Sequence, residues 1–379
     1  LSWEQLEYGT KAIMNLHYGL IHVGLPTMVD LTRDNLPNIK EDNMPKNFEL
    51  CKEGDVAFAD ASEDTNEVAK PIEFFDLAGK NIVCGLHTIH GRDNKNKTVI
   101  GFKGYAFSSS AFHNQIRRIA QGTKIYSIST KNFSECFIGI PSKVEQTKIA
   151  TLLRLIDERI ATQNKIIEKY ESLIKGLNDS LYAQYGDDVL TSFSSLGFSY
   201  SGLSGKSAQD FGSGKPFITY LNVYSNNIIN EKDFQYVAIK EGEKQNVVEY
   251  GDVLFTLSSE TPEEVGIGSV YLGNENVYLN SFCFGIHIIN TKIAFPPYLS
   301  YYVSSTPFRK FIYPYAQGST RFNLCKVDFE KASIKLPSLE NQKRIYSILS
   351  HIESKTETEK SLLDLYNSQK QYLLRQMFI

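Results

Sequence analysis

The sequence predicts a mixed α/β (α+β) fold in which two similar globular units are separated by two long antiparallel helices that pair as a coiled coil. A hydrophobic-Pro-Ser step occurs twice, at 140–142 and 336–338. Each step follows an aromatic-rich, strand-like region and opens a segment rich in Ile, Leu, Lys and Glu at helical spacing. The same order of features returns after about 196 positions, which indicates an internal duplication.

The totals are those of a folded protein with more than one domain. A chain of 379 residues can bury two cores, and a hydrophobic share of 42% with 22 Tyr and 23 Phe excludes a disordered chain. The net charge of −3 gives no global basic signal, so a nucleic-acid surface would have to be local or shared with a partner. No apolar run is long enough to span a membrane, and we predict a cytoplasmic location without membrane binding.

The cysteines and histidines predict no metal site. The five cysteines are scattered without a Cys-x-x-Cys pair, so neither zinc binding nor a disulfide framework is expected. His87 and His90 have a spacing found in metal sites, but no neighbouring Cys or second His pair completes a ligand set. We therefore interpret these histidines as loop or core residues.

The predicted boundaries follow the repeat. Residues 1–141 form the first globular unit, 142–183 the central helix, 184–337 the second unit and 338–379 the C-terminal helix. Ser142 followed by Glu145 predicts a capping box at the start of the central helix. Forty residues of helix are about 60 Å long, which is too long for one small domain, so each helix should find a partner helix.

Both helices carry a stripe of apolar residues in steps of three and four, as paired helices do. Polar residues interrupt the stripes at Gln163, Thr356 and Glu359. They could fix the register of an antiparallel pair, or mark a looser, hydrated middle. The predicted pairing residues are Ile149, Leu152, Ile156, Ile160, Ile167, Tyr170, Ile174, Leu177, Ile345, Ile348, Ile352, Leu363, Tyr366 and Leu373.

The repeat itself can be followed residue by residue. Gln146 falls on Gln342, and Ala120-Gln121-Gly122-Thr123 falls on Ala316-Gln317-Gly318-Ser319. With small shifts, Gly54-Asp55-Val56 matches 251–253 and Gly85-Leu86-His87 matches 285–287, so His87 and His287 should be equivalent. Two equal units on paired helices imply pseudo-twofold symmetry, which suits a DNA target with two half-sites.

Motifs that resemble catalytic sites are incomplete. Gly205-Lys206-Ser207 lacks the first glycine of a phosphate-binding loop, because Tyr200 stands there. Pro296-Pro297-Tyr298 resembles an amino-methyltransferase motif, but Phe295 cannot accept the hydrogen bond that Asn or Asp would accept. We predict no catalytic residue, no metal and no cofactor on this chain.

The nucleic-acid signal is confined to polar basic segments that recur in both units. Their side chains are those that reach phosphates and base edges, and glycine lets the backbone approach closely. The alternative is a structural turn with a solvated basic edge. The predicted DNA-binding residues are Arg92, Lys95, Lys97, Arg117, Arg118, Gln121, Gly122, Thr123, Lys124, Arg309, Lys310, Gln317, Gly318, Ser319, Thr320 and Arg321.

With the repeat, the Ala-Gln-Gly-Ser-Thr-Arg step at 316–321 and the two Pro-Ser openings, the chain resembles the specificity subunit of type I restriction–modification enzymes. The resemblance implies two target recognition domains, at 1–141 and 184–337, that each read half of a split double-stranded DNA site. It implies two methyltransferase subunits that use S-adenosylmethionine, and restriction subunits that use ATP and Mg²⁺. Two departures stand out: no tandem repeat in the central helix, and Ile125 in the first unit where the second has Arg321.

Two other functions stay open at this point. A coiled-coil adaptor between proteins would need the helices and no DNA surface. A standalone DNA methyltransferase would need a binding site for S-adenosylmethionine, and no glycine-rich cofactor loop is evident.

Overall fold

The computed structural model describes residues 1–10, 12–186 and 188–378; Lys11, Asp187 and Ile379, which fall within the predicted domains, lie outside them. Its contacts divide the chain into two units: unit 1 is Leu1–Lys165 with Lys360–Ile379, and unit 2 is Ile166–Glu359. Unit 1 therefore contains the first globular region, the first part of the central helix and the last part of the C-terminal helix. Unit 2 contains the second globular region and the remaining part of each helix. No helix within the described ranges is both long and apolar enough to cross a membrane.

The two long helices span Lys143–Tyr185 and Leu339–Gln376. The predicted capping box starts the first helix: the Glu145 amide donates to Ser142 Oγ (3.3 Å), and the Ser142 amide donates to Glu145 Oε2 (3.1 Å). At the second helix Asp188 takes the place of the missing glutamate and accepts from the Ser338 amide (2.9 Å). The amides of Ser142 and Ser338, at the beginning of the two long helices, therefore both have a hydrogen-bond acceptor. The sequence predicts this arrangement for Ser142.

Unit 1 contains two four-stranded sheets with strand orders β1-β4-β2-β8 and β3-β7-β5-β9, and a ribbon of β6 and β10. The sheets bury an apolar core that includes Leu16, Val29 and Phe74. Its short helices are Tyr18–His22, Lys103–Phe107, Ser110–Ile119 and Thr130–Phe133. Its strands are β1 Leu6–Glu7, β2 Met14–Leu16, β3 Met28–Asp30, β4 Asn38–Ile39, β5 Val56–Ala59, β6 Ala61–Ser62, β7 Pro71–Asp76, β8 Ile82–Cys84, β9 Thr88–Gly91 and β10 Tyr126–Ser127.

Unit 2 contains sheets with strand orders β12-β19-β15-β17, β14-β13-β18 and β16-β21-β20, and a ribbon of β11 and β22. An aromatic core around Phe255, Phe308 and Phe329 fills it. Its short helices are Phe193–Leu196, Tyr220–Ser225, Pro296–Tyr302, Thr306–Ile312 and Lys326–Lys331. Its strands are β11 Val189–Thr191, β12 Gly197–Ser201, β13 Phe211–Ile218, β14 Gln235–Val237, β15 Val253–Thr256, β16 Ser258–Ser259, β17 Gly268–Val270, β18 Tyr278–Leu279, β19 Cys283–Ile288, β20 Ala316–Gly318, β21 Phe322–Leu324 and β22 Ile334–Leu336.

The duplication is visible in one glutamine near the start of each long helix. Gln146 accepts from the Val99 amide (2.9 Å) and donates to the carbonyls of Lys97 (3.1 Å) and Pro141 (2.8 Å). Gln342 accepts from the Phe295 amide (2.7 Å) and donates to the carbonyls of Ile293 (2.7 Å) and Pro337 (2.8 Å). We call each set of three bonds a glutamine bridge, and the two bridges confirm the predicted equivalence.

The strand register corrects one part of the predicted repeat. β5 pairs Val56 with Gly91, and β15 pairs Val253 with Ile286, so Arg92 and not His87 is the counterpart of His287. Arg92 binds Asp55 (2.7 Å), as His287 binds the equivalent Asp252 (2.8 Å). The match of Gly85-Leu86-His87 to 285–287 was wrong because it relied on similar residue types alone. The register of the paired strands decides which positions are equivalent.

Inside unit 1 the two helix halves pack antiparallel. Lys370 Nζ lies 2.6 Å from Asp157 Oδ1, Leu374 and Leu153 share one buried cluster, and Phe378 packs in a cluster with Ala150. The contact positions rise along one helix as they fall along the other. A stripe of buried apolar side chains thus joins the halves, and the predicted pairing residues Ile149 and Leu373 pack against it.

Two predicted pairing residues lie off this stripe. Leu152 and Ile348 are 42% and 38% exposed, whereas the adjacent Leu153 and Leu349 are fully buried. The prediction used alternating steps of three and four, and a helix of 3.6 residues per turn drifts from such a seam. Gln163 and Thr356 are both buried. The two interpretations of the polar positions, that they set the register and that they mark a hydrated middle, stay predictions.

Removing the Asp157 carboxylate should destabilise unit 1. Its two oxygens accept from the hydroxyl of the buried Tyr105 (2.8 Å) and pair with the partly buried Lys370. We expect Asp157→Ala to lower the free energy of unfolding by about 2 kcal/mol, because it leaves both partners without their acceptor. Urea denaturation measures the loss; Glu168→Ala, at an exposed position of the same helix, is the control, and equal stability of both variants would contradict the prediction.

Candidate nucleic-acid interface

The recurring Ala-Gln-Gly step forms the same tight turn in both units. We call residues 121–125 loop A and residues 317–321 loop B. In unit 1 the amide of Gln121 donates to the carbonyl of Ser127 (2.9 Å), and the amide of Ser127 donates to the carbonyl of Gln121 (2.8 Å). In unit 2 Gln317 pairs with Asn323, and Gly318 pairs with Phe322. Each loop is therefore the tip of a short antiparallel hairpin.

One glycine in each loop is required by the backbone. Gly122 has φ of 144° and Gly318 has φ of 148°, values that L side chains rarely adopt. A Cβ would lie 1.9 Å from the Ile125 carbonyl oxygen at Gly122, and 2.1 Å from the Arg321 carbonyl oxygen at Gly318. The recurrence of Gln-Gly thus has a structural cause, and it gives both tips the same shape.

The loop tips present their side chains to solvent. Every residue of both loops is exposed. The predicted residues Gln121, Gly122, Thr123 and Lys124 come together in loop A, and Gln317, Gly318, Ser319, Thr320 and Arg321 come together in loop B. Donors and acceptors on an exposed turn that admits close backbone approach are suited to phosphates and base edges.

The two loops differ at one equivalent position, which is Ile125 in loop A and Arg321 in loop B. Arg321 Nε donates to Ser258 Oγ (3.3 Å), and its guanidinium lies 6.0 Å from the centre of the Phe282 ring. Phe282 is 57% exposed and Ile125 is 61% exposed. Loop B therefore offers a charged, planar group where loop A offers an apolar one.

Sequence reasoning missed the residues that support Arg321. Phe282 contacts its guanidinium, and the Tyr220 hydroxyl donates to the carbonyl of Ser258 (2.9 Å), the residue to which Arg321 bonds. Burial raises the pKa of Tyr220, so its hydroxyl stays a neutral donor. These residues are distant in sequence, and the exposed Phe282 lies in no motif that points to Arg321.

The remaining predicted cations lie at separate places. Lys95 and Lys97 are exposed on the segment after β9, and Arg118 and Lys310 are exposed on their helices. Arg117 donates to Asn66 Oδ1 (3.1 Å) and to Asn114. The predicted basic set is thus distributed over each unit, and only the loop residues form a continuous group.

Two predicted arginines are engaged inside the protein. Arg92 binds both carboxylate oxygens of Asp55 (2.9 and 2.7 Å) and also Glu49. Arg309 donates to the backbone carbonyls of Glu263, Val265 and Gly266, each at 2.7 Å, and burial lowers its pKa. These bonds occupy both guanidinium groups, so neither arginine belongs to the candidate interface.

The second half of the chain matches a known family. A family model described as the type I restriction modification DNA specificity domain matches residues 204–365, a range that contains loop B. The chain carries a type I restriction–modification specificity domain. Loop B and the residues around Arg321 are therefore features of a specificity domain.

The similarity in fold extends over nearly the whole chain. A chain from a study of complex assembly and conformational transition of the type I R-M system is 17% identical, with a TM-score of 0.58 over 94% of this chain and 95% of that one. The type I restriction-modification S subunit from M. genitalium is 18% identical, with a TM-score of 0.51 over 98% and 93%. No curated protein matches the sequence. These likenesses confirm the mixed α/β fold with two domains and a helical spacer.

Proposed function

We propose that this protein is the DNA-reading, non-catalytic subunit of a type I restriction–modification complex, with each unit reading one half of a split site. The observation that carries the proposal is the specificity domain at 204–365, whose exposed glycine hairpin recurs in unit 1. Duplicated readers are the protein counterpart of a bipartite DNA site. Within each unit we assign the DNA contact to loop A or loop B.

The proposed catalytic partners are two methyltransferase subunits, joined by restriction subunits. Exposed apolar side chains on the long helices support a docking surface for them, since such residues are costly to leave in water. These side chains are Leu152, Leu155, Leu173, Ile348, Leu365 and Tyr372. S-adenosylmethionine, ATP and Mg²⁺ would bind to the partners, and the complex would act on DNA in the cytoplasm.

The proposal is tested by the assembled complex rather than by the chain alone. The chain is purified with its methyltransferase partner, and binding is measured to a library of split sites with varied sequence and spacing. We expect selection of two short sequences at one fixed spacing. Indifference to both sequence and spacing, or binding without salt dependence, would favour a protein adaptor instead.

Loss of the Arg321 side chain should weaken DNA binding. We expect Arg321→Ala to cost about 1–3 kcal/mol of binding free energy if the guanidinium contacts a base, and to relax specificity at one position. Titration of the complex with labelled DNA at fixed salt measures this. Lys232→Ala removes an exposed cation of the same unit and is the control; equal effects of the two variants would mean that Arg321 adds only charge.

A further inference from the structure

We propose that Cys51, Cys84 and His90 bind a zinc ion in unit 1, a role that goes beyond the proposed reading of DNA. One ligand atom from each of the three residues lies within 4.8 Å of the others. Strand pairing brings them together: Cys84 ends β8, His90 lies in β9, and the Cys51 amide donates to the carbonyl of Ile82 in β8 (2.8 Å). Two sulfurs and one imidazole are a common protein donor set for zinc.

The distance between the two sulfurs fits a shared metal ion. Cys51 Sγ and Cys84 Sγ are 3.6 Å apart, and both cysteines are free thiols. Two thiolates at about 2.3 Å from a tetrahedral zinc are about 3.8 Å apart, whereas a disulfide requires about 2.0 Å. The sulfurs therefore stand at the separation that one zinc ion would impose.

The imidazole is held as zinc-binding histidines are held. His90 Nε2 lies 2.8 Å from Asp55 Oδ2, and Asp55 is buried and fixed by Arg92 and by the Lys52 amide (2.8 Å). A carboxylate that binds one ring nitrogen orients the other toward the metal. Nδ1 of His90 is therefore the nitrogen that would bind zinc.

The fourth coordination position opens toward a cavity. A cavity of about 430 Å³ is lined by Cys84, His90 and Asn15, among others. Asn15 is 1% exposed, and its Oδ1 has no hydrogen-bond partner within the described ranges of the chain. A water molecule on the zinc could donate to this amide oxygen, which gives the buried acceptor a partner.

Unit 2 shows that the fold does not require these side chains. Val248 corresponds to Cys51, because its amide donates to the Val277 carbonyl (2.7 Å) as that of Cys51 does to Ile82. Leu279 then corresponds to Cys84, and Gly285 to His90 by the strand register. Val248 and Leu279 are fully buried in an apolar cluster. Unit 1 therefore has three possible metal ligands at positions where unit 2 has two buried aliphatic side chains and a glycine.

The zinc ion would join the two sheets of unit 1. β8 belongs to the sheet β1-β4-β2-β8, and β9 belongs to the sheet β3-β7-β5-β9. Ligands from both sheets would connect them near the turn between β8 and β9. The site thus lies where a metal ion would stabilise the packing of the two sheets of unit 1. None of its ligands lies in loop A.

Metal content and a cobalt spectrum test the proposal on the full-length chain. We expect one zinc per chain after purification without chelator, a thiolate-to-cobalt charge-transfer band after exchange with Co²⁺, and a melting temperature that falls when a chelator is added. Cys84→Ser and His90→Gln should lose the zinc and change the band. Cys325→Ser, at a cysteine in unit 2, should keep both.

Three results would overturn the zinc site. The first is wild-type protein with neither stoichiometric zinc nor a charge-transfer band, a measurement that does not depend on how the variants fold. The second is a disulfide in freshly purified protein, seen as three titratable thiols in place of five. Zinc held equally by Cys84→Ser and the wild type would also contradict the assignment.

Discussion

Gly318→Ala is expected to abolish the reading of one half-site while the other half-site is still read. The added Cβ would lie 2.1 Å from the carbonyl oxygen of Arg321, and the residue would have to keep φ of 148°. Loop B must therefore change shape, which moves Gln317, Ser319 and Arg321 together. We expect a loss of about 3 kcal/mol or more in binding free energy, because several contacts are displaced at once.

The measurement is selection from the split-site library by the complex that contains the variant. Gly122→Ala is the matched change in loop A, where the Cβ would lie 1.9 Å from the Ile125 carbonyl oxygen, and it should affect the opposite half-site. Gly139→Ala is the control, since no atom lies within 4 Å of its added Cβ. If both loop variants select the same sites as the wild type, the loops do not read DNA.

Gln342→Leu should produce a large loss of stability. The side chain is fully buried, and its glutamine bridge satisfies the Phe295 amide and the carbonyls of Ile293 and Pro337. Leucine has a similar volume and satisfies none of them. Because an unsatisfied buried polar group costs about 1–3 kcal/mol, we expect a loss of about 3–5 kcal/mol in total.

Urea denaturation measures the total, and hydrogen exchange locates it. Amides of residues 293–299 should lose protection, whereas those of residues 97–103 should keep it. Gln146→Leu should reverse this pattern, because its glutamine bridge lies in unit 1. Gln369→Leu, at an exposed position of the C-terminal long helix, is the control. A loss below 1 kcal/mol for Gln342→Leu would show that water satisfies the three groups.

The features that the sequence predicted well are those with local causes. The capping box of Ser142 and Glu145 needs residues three apart, and the Gln-Gly turns need one glycine at a fixed place. The duplication added long-range information, since a residue such as Gln342 could be assigned from its counterpart. The fold class and the family resemblance rest on these signals, and both are confirmed.

The features that the sequence missed depend on how distant strands pair. Cys51, Cys84 and His90 have no recognisable spacing, because three separate segments bring them together. The internal roles of Arg92 and Arg309 were equally hidden, since a buried acceptor such as Asp55 is indistinguishable in sequence from an exposed one. Composition can indicate that a basic side chain is available, but the tertiary structure decides whether it is already bound.

The division of the long helices between the units has a consequence for biosynthesis. Unit 2 is one continuous stretch, Ile166–Glu359, whereas unit 1 needs both Leu1–Lys165 and residues from 360 onward. Leu374 and Phe378, which fill the clusters around Tyr105 and Phe102, leave the ribosome after all of unit 2. The domain that is translated first is therefore the last to complete its core. A nascent chain would carry a folded second domain while the first still exposes an apolar surface, and that interval is when chaperones would be needed most.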